Sequence, residues 1–100
     1  MSLDQPDYYF GWQGEPITRD EWATMYMDER HIGETRIGDV LISTVWTGFN
    51  MAVFGPPLIF ETMIFGGEHN EDCWRYGRER DAREGHALAV ALVAKGAGVT

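Results

Sequence analysis

The stretch from residue 31 to residue 47 constrains the fold more than any other part of the chain. It is rich in the β-branched and aromatic residues that favour pleated backbone: Thr35, Ile37, Val40, Ile42, Thr44, Val45 and Trp46. Gly38-Asp39 divides it in two, and a two-residue Gly-Asp loop permits the positive φ that a tight hairpin turn needs. The sequence therefore predicts an antiparallel hairpin of residues 31–37 and 40–47.

Further strands are predicted after the hairpin. The apolar run of residues 58–65 is bounded by Pro57 and Gly66-Gly67 and has the length of a central strand. Residues 73–76 can add a short fourth strand, so we expect a three- or four-stranded antiparallel meander. The aromatic residues 8–12, which precede a turn, could form one more short strand.

A short helix is predicted before the sheet. Thr18 and Glu21 match a capping box, in which the Thr18 hydroxyl accepts from the Glu21 amide and the Glu21 carboxylate reaches back. This predicts a helix near residues 19–28. Its core-facing side, from the i, i+3, i+4 spacing, consists of Trp22, Met25 and Tyr26.

A long helix is predicted over residues 79–95, which contain no proline and precede Gly96, a usual helix stop. Residues 87–94 are apolar on every side, which favours deep burial. We expect one side to carry Leu88, Ala89, Leu92 and Val93, and the opposite side to carry Ala87, Ala91 and Ala94. The small-residue side could meet a second copy, although alanine is also simply a good helix former. The predicted fold class is α+β, a meander packed with a short N-terminal helix and a long C-terminal helix.

Composition limits the classes of protein that the chain can belong to. Its 100 residues carry 16 acidic and 8 basic side chains, a formal charge of -8, which opposes binding to nucleic-acid phosphates. With 44% apolar residues and no linker, residues 1–100 are expected to form one domain. No apolar run approaches the roughly 18 residues of a membrane span, and Cys73 is the only cysteine. We therefore expect a cytoplasmic protein that binds neither nucleic acid nor membranes.

Three segments carry a family resemblance: Ile17 to Trp22 (ITRDEW), Gly38 to Gly48 (GDVLISTVWTG) and Gly55 to Gly67 (GPPLIFETMIFGG). Over most of residues 17–95 the chain is similar to a family of small proteins of tailed bacteriophages and prophages, including those of actinobacteria, with no established activity. The resemblance implies a phage origin and expression inside an infected host cell. Relatives usually have Gly-x-Asp-His where this chain reads Gly48 to Met51, so chemistry that depends on that acid and imidazole is not expected here.

Glu61 is the most informative single residue, because strand alternation places its carboxylate on a face with Ile59, Met63 and Phe65. A buried carboxylate needs a partner, and Arg75 or Arg36 could supply one. The alternatives are a carboxylate of raised pKa that lines a pocket, or simple exposure on a wetted sheet face.

Two further groups contain side chains that could carry chemistry. His86 fits a hydrogen-bonded histidine where the last helix meets the sheet, or else a general base. The segment Glu68 to Cys73 contains possible metal ligands but no second half of a site, so it is interpreted as a solvated acidic turn with no metal. Cys73 is interpreted as a small buried hydrophobe. No nucleotide-binding glycine motif is present, and no cofactor is expected.

The connection between the second and third predicted strands is almost wholly apolar, whereas loops normally run through water. It can fold back onto the core, cover a second subunit, or present an apolar patch to a foreign partner. Its candidate contact residues are Phe49, Asn50, Met51, Val53, Phe54, Pro56 and Pro57.

Two functional interpretations follow from these patterns. The first is a small phage-encoded, non-enzymatic protein of the host cytoplasm, a homodimer that binds a host or phage protein, with Ala87 and Ala91 at a self-interface. The alternative is a small-molecule binder or small enzyme whose pocket lies between sheet and helices, with Glu61, Arg75 and His86 as its polar groups. A structural virion subunit is a third option.

Overall fold

The structure, a computed structural model, describes residues 8–96 and has the predicted α+β fold. Along the chain its elements are β1 (Tyr9–Phe10), β2 (Pro16–Ile17), α1 (Arg19–Tyr26), β3 (His31–Ile37), β4 (Val40–Trp46), β5 (Phe60–Phe65), β6 (Cys73–Tyr76) and α2 (Glu79–Gly96). The last four strands form an antiparallel meander in the order β3-β4-β5-β6, and β1 pairs with β2 in a separate two-stranded sheet. The chain thus adopts the four-stranded form of the predicted meander.

The β3–β4 hairpin turns at Gly38-Asp39, as predicted, with Ile37 opposite Val40. Gly38 has a φ of 59°, which suits the first central position of a type II′ turn. β5 starts at Phe60, two residues later than predicted. The two residues before it bond to the preceding segment instead: the Ile59 carbonyl accepts from the Thr47 amide, and the Leu58 carbonyl accepts from the Met51 amide.

The N-terminal helix begins with the predicted capping box. The Glu21 amide donates to Thr18 Oγ1 over 3.1 Å, and the Thr18 amide donates to Glu21 Oε1 over 2.8 Å. α1 ends at Tyr26, two residues before the predicted end, and Met27 is its C-cap. The predicted inner face is confirmed, since all three of its residues pack against the core: Trp22, Met25 and Tyr26.

The buried apolar residues form two clusters. The larger one joins the β1–β2 unit to one end of the sheet: Tyr9, Phe10, Ile17, Trp46, Ile59, Phe60 and Ala82. The smaller one lies between the sheet and the second half of α2: Ile42, Ile64, Ala89 and Val93. Alternate residues of β4 and β5 are buried, and their neighbours are half-buried or, at Phe65, exposed. One face of the sheet is therefore covered by α2 and the other is more open to solvent.

The prediction of deep burial for α2 was wrong. A single sheet contacts only one side of a helix, and the buried residues of α2 are Ala82, Ala89 and Val93. Leu88 was expected on the sheet side, but its side chain is 72% exposed. It precedes Ala89 by one residue, about 100° around the helix, and so turns outward when Ala89 faces the sheet. Ala87 and Ala91 are exposed, as expected of the side away from the sheet.

Candidate functional site

A series of hydrogen-bonded side chains lies between α2 and the covered face of the sheet. We call it the hydroxyl chain, and its members are Thr35, Thr44, Thr62, Tyr76 and His86. His86 of α2 places Nδ1 2.7 Å from Thr44 Oγ1 and Nε2 2.9 Å from Thr35 Oγ1. Thr44 Oγ1 is 2.5 Å from Thr62 Oγ1 across the β4–β5 pair, and the Tyr76 hydroxyl donates to Thr62 Oγ1 over 3.1 Å. Thr44 and Thr62 are fully buried. The chain therefore connects all four strands of the meander to the helix.

One order of donors along these side chains gives every group a partner. Tyr76 donates to Thr62, so the Thr62 hydroxyl can use its own proton toward Thr44, and Thr44 can use its proton toward His86 Nδ1. A neutral imidazole with an acceptor at Nδ1 carries its proton on Nε2, where it donates to Thr35. This order gives each of the five groups a partner without a charged imidazole.

Burial disfavours the charged form of His86 and lowers its pKa. The backbone of Gly33 lies directly against the ring, since a Cβ at this position would come within 2.8 Å of the imidazole atoms. His86 is thus the hydrogen-bonded histidine predicted at the helix–sheet junction. Both of its ring nitrogens bond to threonine hydroxyls of the sheet. The hydroxyl chain is therefore suited to holding α2 on the sheet.

The threonines and Tyr76 of this chain were missed in the sequence. A signal for the central pair was present, because Thr44 and Thr62 each stand between two apolar residues of the same strand face. Thr44 alternates with Ile42 and Trp46, and its partner in the sheet is Thr62. Hydroxyls that face each other on a buried sheet face need one another as hydrogen-bond partners.

Glu61 forms the predicted ion pair with Arg75 on the neighbouring strand. Arg75 Nε donates to Glu61 Oε2 over 3.0 Å, and Glu61 lies directly opposite Arg75 in the sheet. The bond to the carboxylate raises the pKa of Arg75. The Glu61 side chain is 19% exposed and that of Arg75 is 48% exposed. The pair lies on the more open face of the sheet and is a structural contact.

Glu61 and His86 do not share a pocket. Successive strand residues point to opposite faces, and Thr62, the neighbour of Glu61, belongs to the hydroxyl chain under α2. Glu61 therefore points away from the helix that carries His86. Arg75 lies on the side of Glu61. The prediction of one pocket between sheet and helices was therefore wrong. Glu61 and Arg75 lie on one face of the sheet, and His86 lies on the other.

Cys73 is half-buried beside the same ion pair. Burial raises the pKa of its thiol, and Glu61 raises it further through a hydrogen bond and its negative charge, whereas the positive charge of Arg75 lowers it. In the adjacent turn, His69 Nδ1 lies 3.1 Å from Asp72 Oδ2. Among residues 8–96 no three His, Cys, Asp or Glu side chains are grouped so that they could hold a metal ion.

The apolar connection between β4 and β5 is anchored at its base. Phe49 packs against the larger core cluster, and its ring lies edge-on to Trp22 with a centroid distance of 6.3 Å. The Asn50 side chain accepts from the amides of Ala52 and Leu58, over 2.8 and 3.2 Å. The amide of Met51 also donates to the Leu58 carbonyl. These contacts fix the two ends of the loop against each other.

The tip of the same loop projects into solvent. Val53 is 94% exposed and Phe54 is 89% exposed. Pro56 is exposed as well, while Pro57 is half-buried. Of the three predicted outcomes, packing on the chain's own core therefore holds for the base of the loop only. The tip keeps two large apolar side chains uncovered on an anchored support.

A groove between α2 and the edge strand β6 is a further apolar feature, separate from the base and the tip of the loop. It has a volume of about 300 Å³ and is lined by Trp74, Tyr76, Gly85, Leu88, Ala89 and Leu92. Trp74 is 39% exposed. The hydroxyl chain ends at Tyr76 on the inner side of this groove. Sequence reasoning missed the groove, because its walls come from two elements whose packing is not a local property.

Comparisons with protein-family models, curated proteins and solved structures found no match to this chain. The resemblance to phage proteins thus stays a prediction. None of the helices within residues 8–96 is long and apolar enough to cross a membrane.

Proposed function

We propose that the protein is a small, phage-encoded, non-enzymatic protein of the host cytoplasm that binds a host or phage protein through the tip of its β4–β5 loop. The observation that carries the proposal is the exposure of Val53 and Phe54, 94% and 89%, on a loop whose base is hydrogen-bonded and packed. Exposed apolar side chains of this size often mark partner sites.

The anchored base matters for the energetics of binding. A loop that is already ordered loses less conformational entropy when a partner docks on it than a free segment does. Asn50 and Phe49 hold the base without using the apolar surface of Phe54, so this surface stays available. An aromatic side chain that enters a partner's pocket is a common centre of binding energy.

Self-association is the second part of the proposal. The outer side of α2 carries apolar residues that no other part of residues 8–96 covers, including Leu88. The alternative of a small enzyme around Glu61 and His86 has lost its geometric basis, since the two side chains lie on opposite faces of the sheet.

Site-specific photo-crosslinking tests the loop proposal. A photoreactive phenylalanine analogue would be placed at position 54 and, as a matched control, at position 39, where Asp39 is also exposed but lies in the β3–β4 turn, at the opposite end of β4 from the loop. In phage-infected actinobacterial cells, one defined protein should crosslink to position 54 and not to position 39. Equal crosslinking at both positions would contradict the proposal, and crosslinks to the chain itself would assign the loop to a self-interface. Recovery in purified particles would indicate a virion subunit.

A further inference from the structure

The outer face of α2 is apolar in its middle and charged toward both ends. Its middle contains Ala87, Leu88 and Ala91, all exposed. Its first turns contain Asp81 and also Glu84, whose carboxylate lies 3.8 Å from Arg80 of the same helix, and the last turn contains Lys95. The small alanine side chains leave the helix backbone accessible to a second helix at close range.

Asp81, Leu88 and Lys95 lie on one line along this face. Each is seven residues from the next, nearly two helical turns, so the side chains drift by only about 20° per step around the helix axis. Leu88 is halfway, about 10 Å along the axis from each charged residue. Asp81 and Lys95 are exposed, and neither forms an ion pair with any residue between 8 and 96.

This line is self-complementary about a two-fold axis through Leu88. In two antiparallel helices related by that axis, Asp81 of each copy faces Lys95 of the other, and the contact occurs twice. The helix dipoles are then also antiparallel, which is favourable. A parallel pair would instead bring Asp81 next to Asp81 and Lys95 next to Lys95, so the charges select the antiparallel arrangement.

The surface beside Leu88 is also apolar. The groove of about 300 Å³ between α2 and β6 opens next to it, with Trp74 and Leu92 among its walls. The two-fold axis that pairs the charges places the two Leu88 side chains against each other, with the groove of each copy alongside. Contact between these surfaces would remove apolar area of both copies from water.

We propose that α2 is the interface of a homodimer, in which two copies pair their helices antiparallel about Leu88, with Asp81 of each copy opposite Lys95 of the other. The inference deepens the self-association part of the proposed function and is independent of the β4–β5 loop. One helix per copy makes a small interface, so the dissociation constant is expected in the range of about 1–100 µM.

A charge exchange tests this geometry with the full chain. Sedimentation analysis should show a monomer–dimer equilibrium for the wild type. Asp81→Lys and Lys95→Asp should each weaken it by about tenfold or more, because each places like charges opposite each other twice. The double variant D81K/K95D should dimerise about as well as the wild type.

Mixing the two single variants provides the decisive measurement. In a mixed dimer both contacts are complementary, since the two lysines of the first variant face the two aspartates of the second. D81K and K95D should therefore form a heterodimer, visible by native mass spectrometry, although each alone is mostly monomeric. A loss of helix stability from the substitutions would not be repaired by mixing, and thermal unfolding of each variant would report it separately.

Substitution of exposed apolar residues by aspartate completes the test. Leu88→Asp should abolish the dimer, whereas Met27→Asp, a change at an 84% exposed residue outside α2, should leave it intact. A wild type that stays monomeric up to about 1 mM would overturn both the inference and the proposed self-association. A dimer that is insensitive to Leu88→Asp and to the charge exchange would overturn the α2 interface alone.

Discussion

His86 Nδ1 lies 2.7 Å from the hydroxyl oxygen of Thr44, so the long helix is tied to the second strand of the sheet by a buried imidazole–hydroxyl bond. The other ring nitrogen bonds to Thr35 on the first strand. One histidine thereby connects α2 to both strands of the hairpin, and its protonation state is linked to the free energy of unfolding.

Lowering the pH should destabilise the fold through His86. Burial lowers its pKa in the folded chain below the value of about 6.5 that it regains on unfolding. As the pH falls, the unfolded chain therefore binds a proton before the folded chain does. The contribution of His86 is fully present above about pH 6.5 and declines below it, by at most about 1.4 kcal/mol per pH unit. Urea unfolding between about pH 5 and pH 8 measures the decline.

Two variants separate this effect from the other titrating groups. His86→Gln should flatten the decline, while His31→Gln, at an exposed histidine paired with Glu29, should retain it. If His86→Gln keeps the slope of the wild type, the buried imidazole is not the group that responds.

Thr62→Val should lower the free energy of unfolding by about 1–3 kcal/mol, because it leaves the Tyr76 hydroxyl without its partner and the buried Thr44 hydroxyl with only His86. Thr62 accepts from Tyr76 and bonds to Thr44, so two groups lose a contact. Thr62→Ser keeps the hydroxyl and should cost less. Adding Tyr76→Phe to Thr62→Val should cost less than the sum of the two single changes, since it removes one unpaired hydroxyl.

The base and the tip of the β4–β5 loop should respond differently to truncation. Phe49→Ala removes a ring that packs on the core and contacts Trp22, and should cost roughly 2–4 kcal/mol. Phe54→Ala removes a ring that is 89% exposed and should change stability by no more than about 0.5 kcal/mol. Denaturant unfolding compares them. A cost at Phe54 similar to that at Phe49 would mean that the tip packs on the chain itself.

The parts of the fold that the sequence predicted well depend on local signals. The Gly38-Asp39 turn fixes the hairpin register. The Thr18 and Glu21 side chains, which belong to a segment of only four residues, fix the start of α1. Both follow from backbone geometry and neighbouring hydrogen bonds, so no tertiary information is needed.

The parts that could not be predicted depend on which face of α2 packs against which face of the sheet. Residues 87–94 of α2 are all apolar, so periodicity gave no basis for turning Leu88 outward and Ala89 inward. The pocket around Glu61 and His86 was wrong for a similar reason. Strand alternation separates Glu61 from Thr62, but only the packing of α2 decides which of the two faces His86.

Cys73 should react slowly with a disulfide reagent at neutral pH, because burial raises the pKa of its thiol and the thiolate is the reactive form. Glu61 and Arg75 act on this thiol with opposite signs. Glu61→Gln should therefore speed the reaction and Arg75→Gln should slow it, each by less than about tenfold. Rates measured at several pH values test this, and changes of the same sign in both variants would indicate altered exposure of the thiol instead.

Gly85→Ala should destabilise the protein, although alanine is the better helix former by about 0.5–1 kcal/mol. A Cβ at position 85 would clash with the Tyr76 hydroxyl, and that hydroxyl is held in place by its bond to Thr62. The expected net cost is about 1–3 kcal/mol, typical of overpacking. Ala23→Gly, at an exposed position of α1 outside the proposed dimer interface, measures the ordinary propensity difference and should cost about 1 kcal/mol. If Gly85→Ala instead stabilises the fold, the Tyr76 ring can move into the neighbouring groove without loss, and the hydroxyl chain does not fix the distance between α2 and β6.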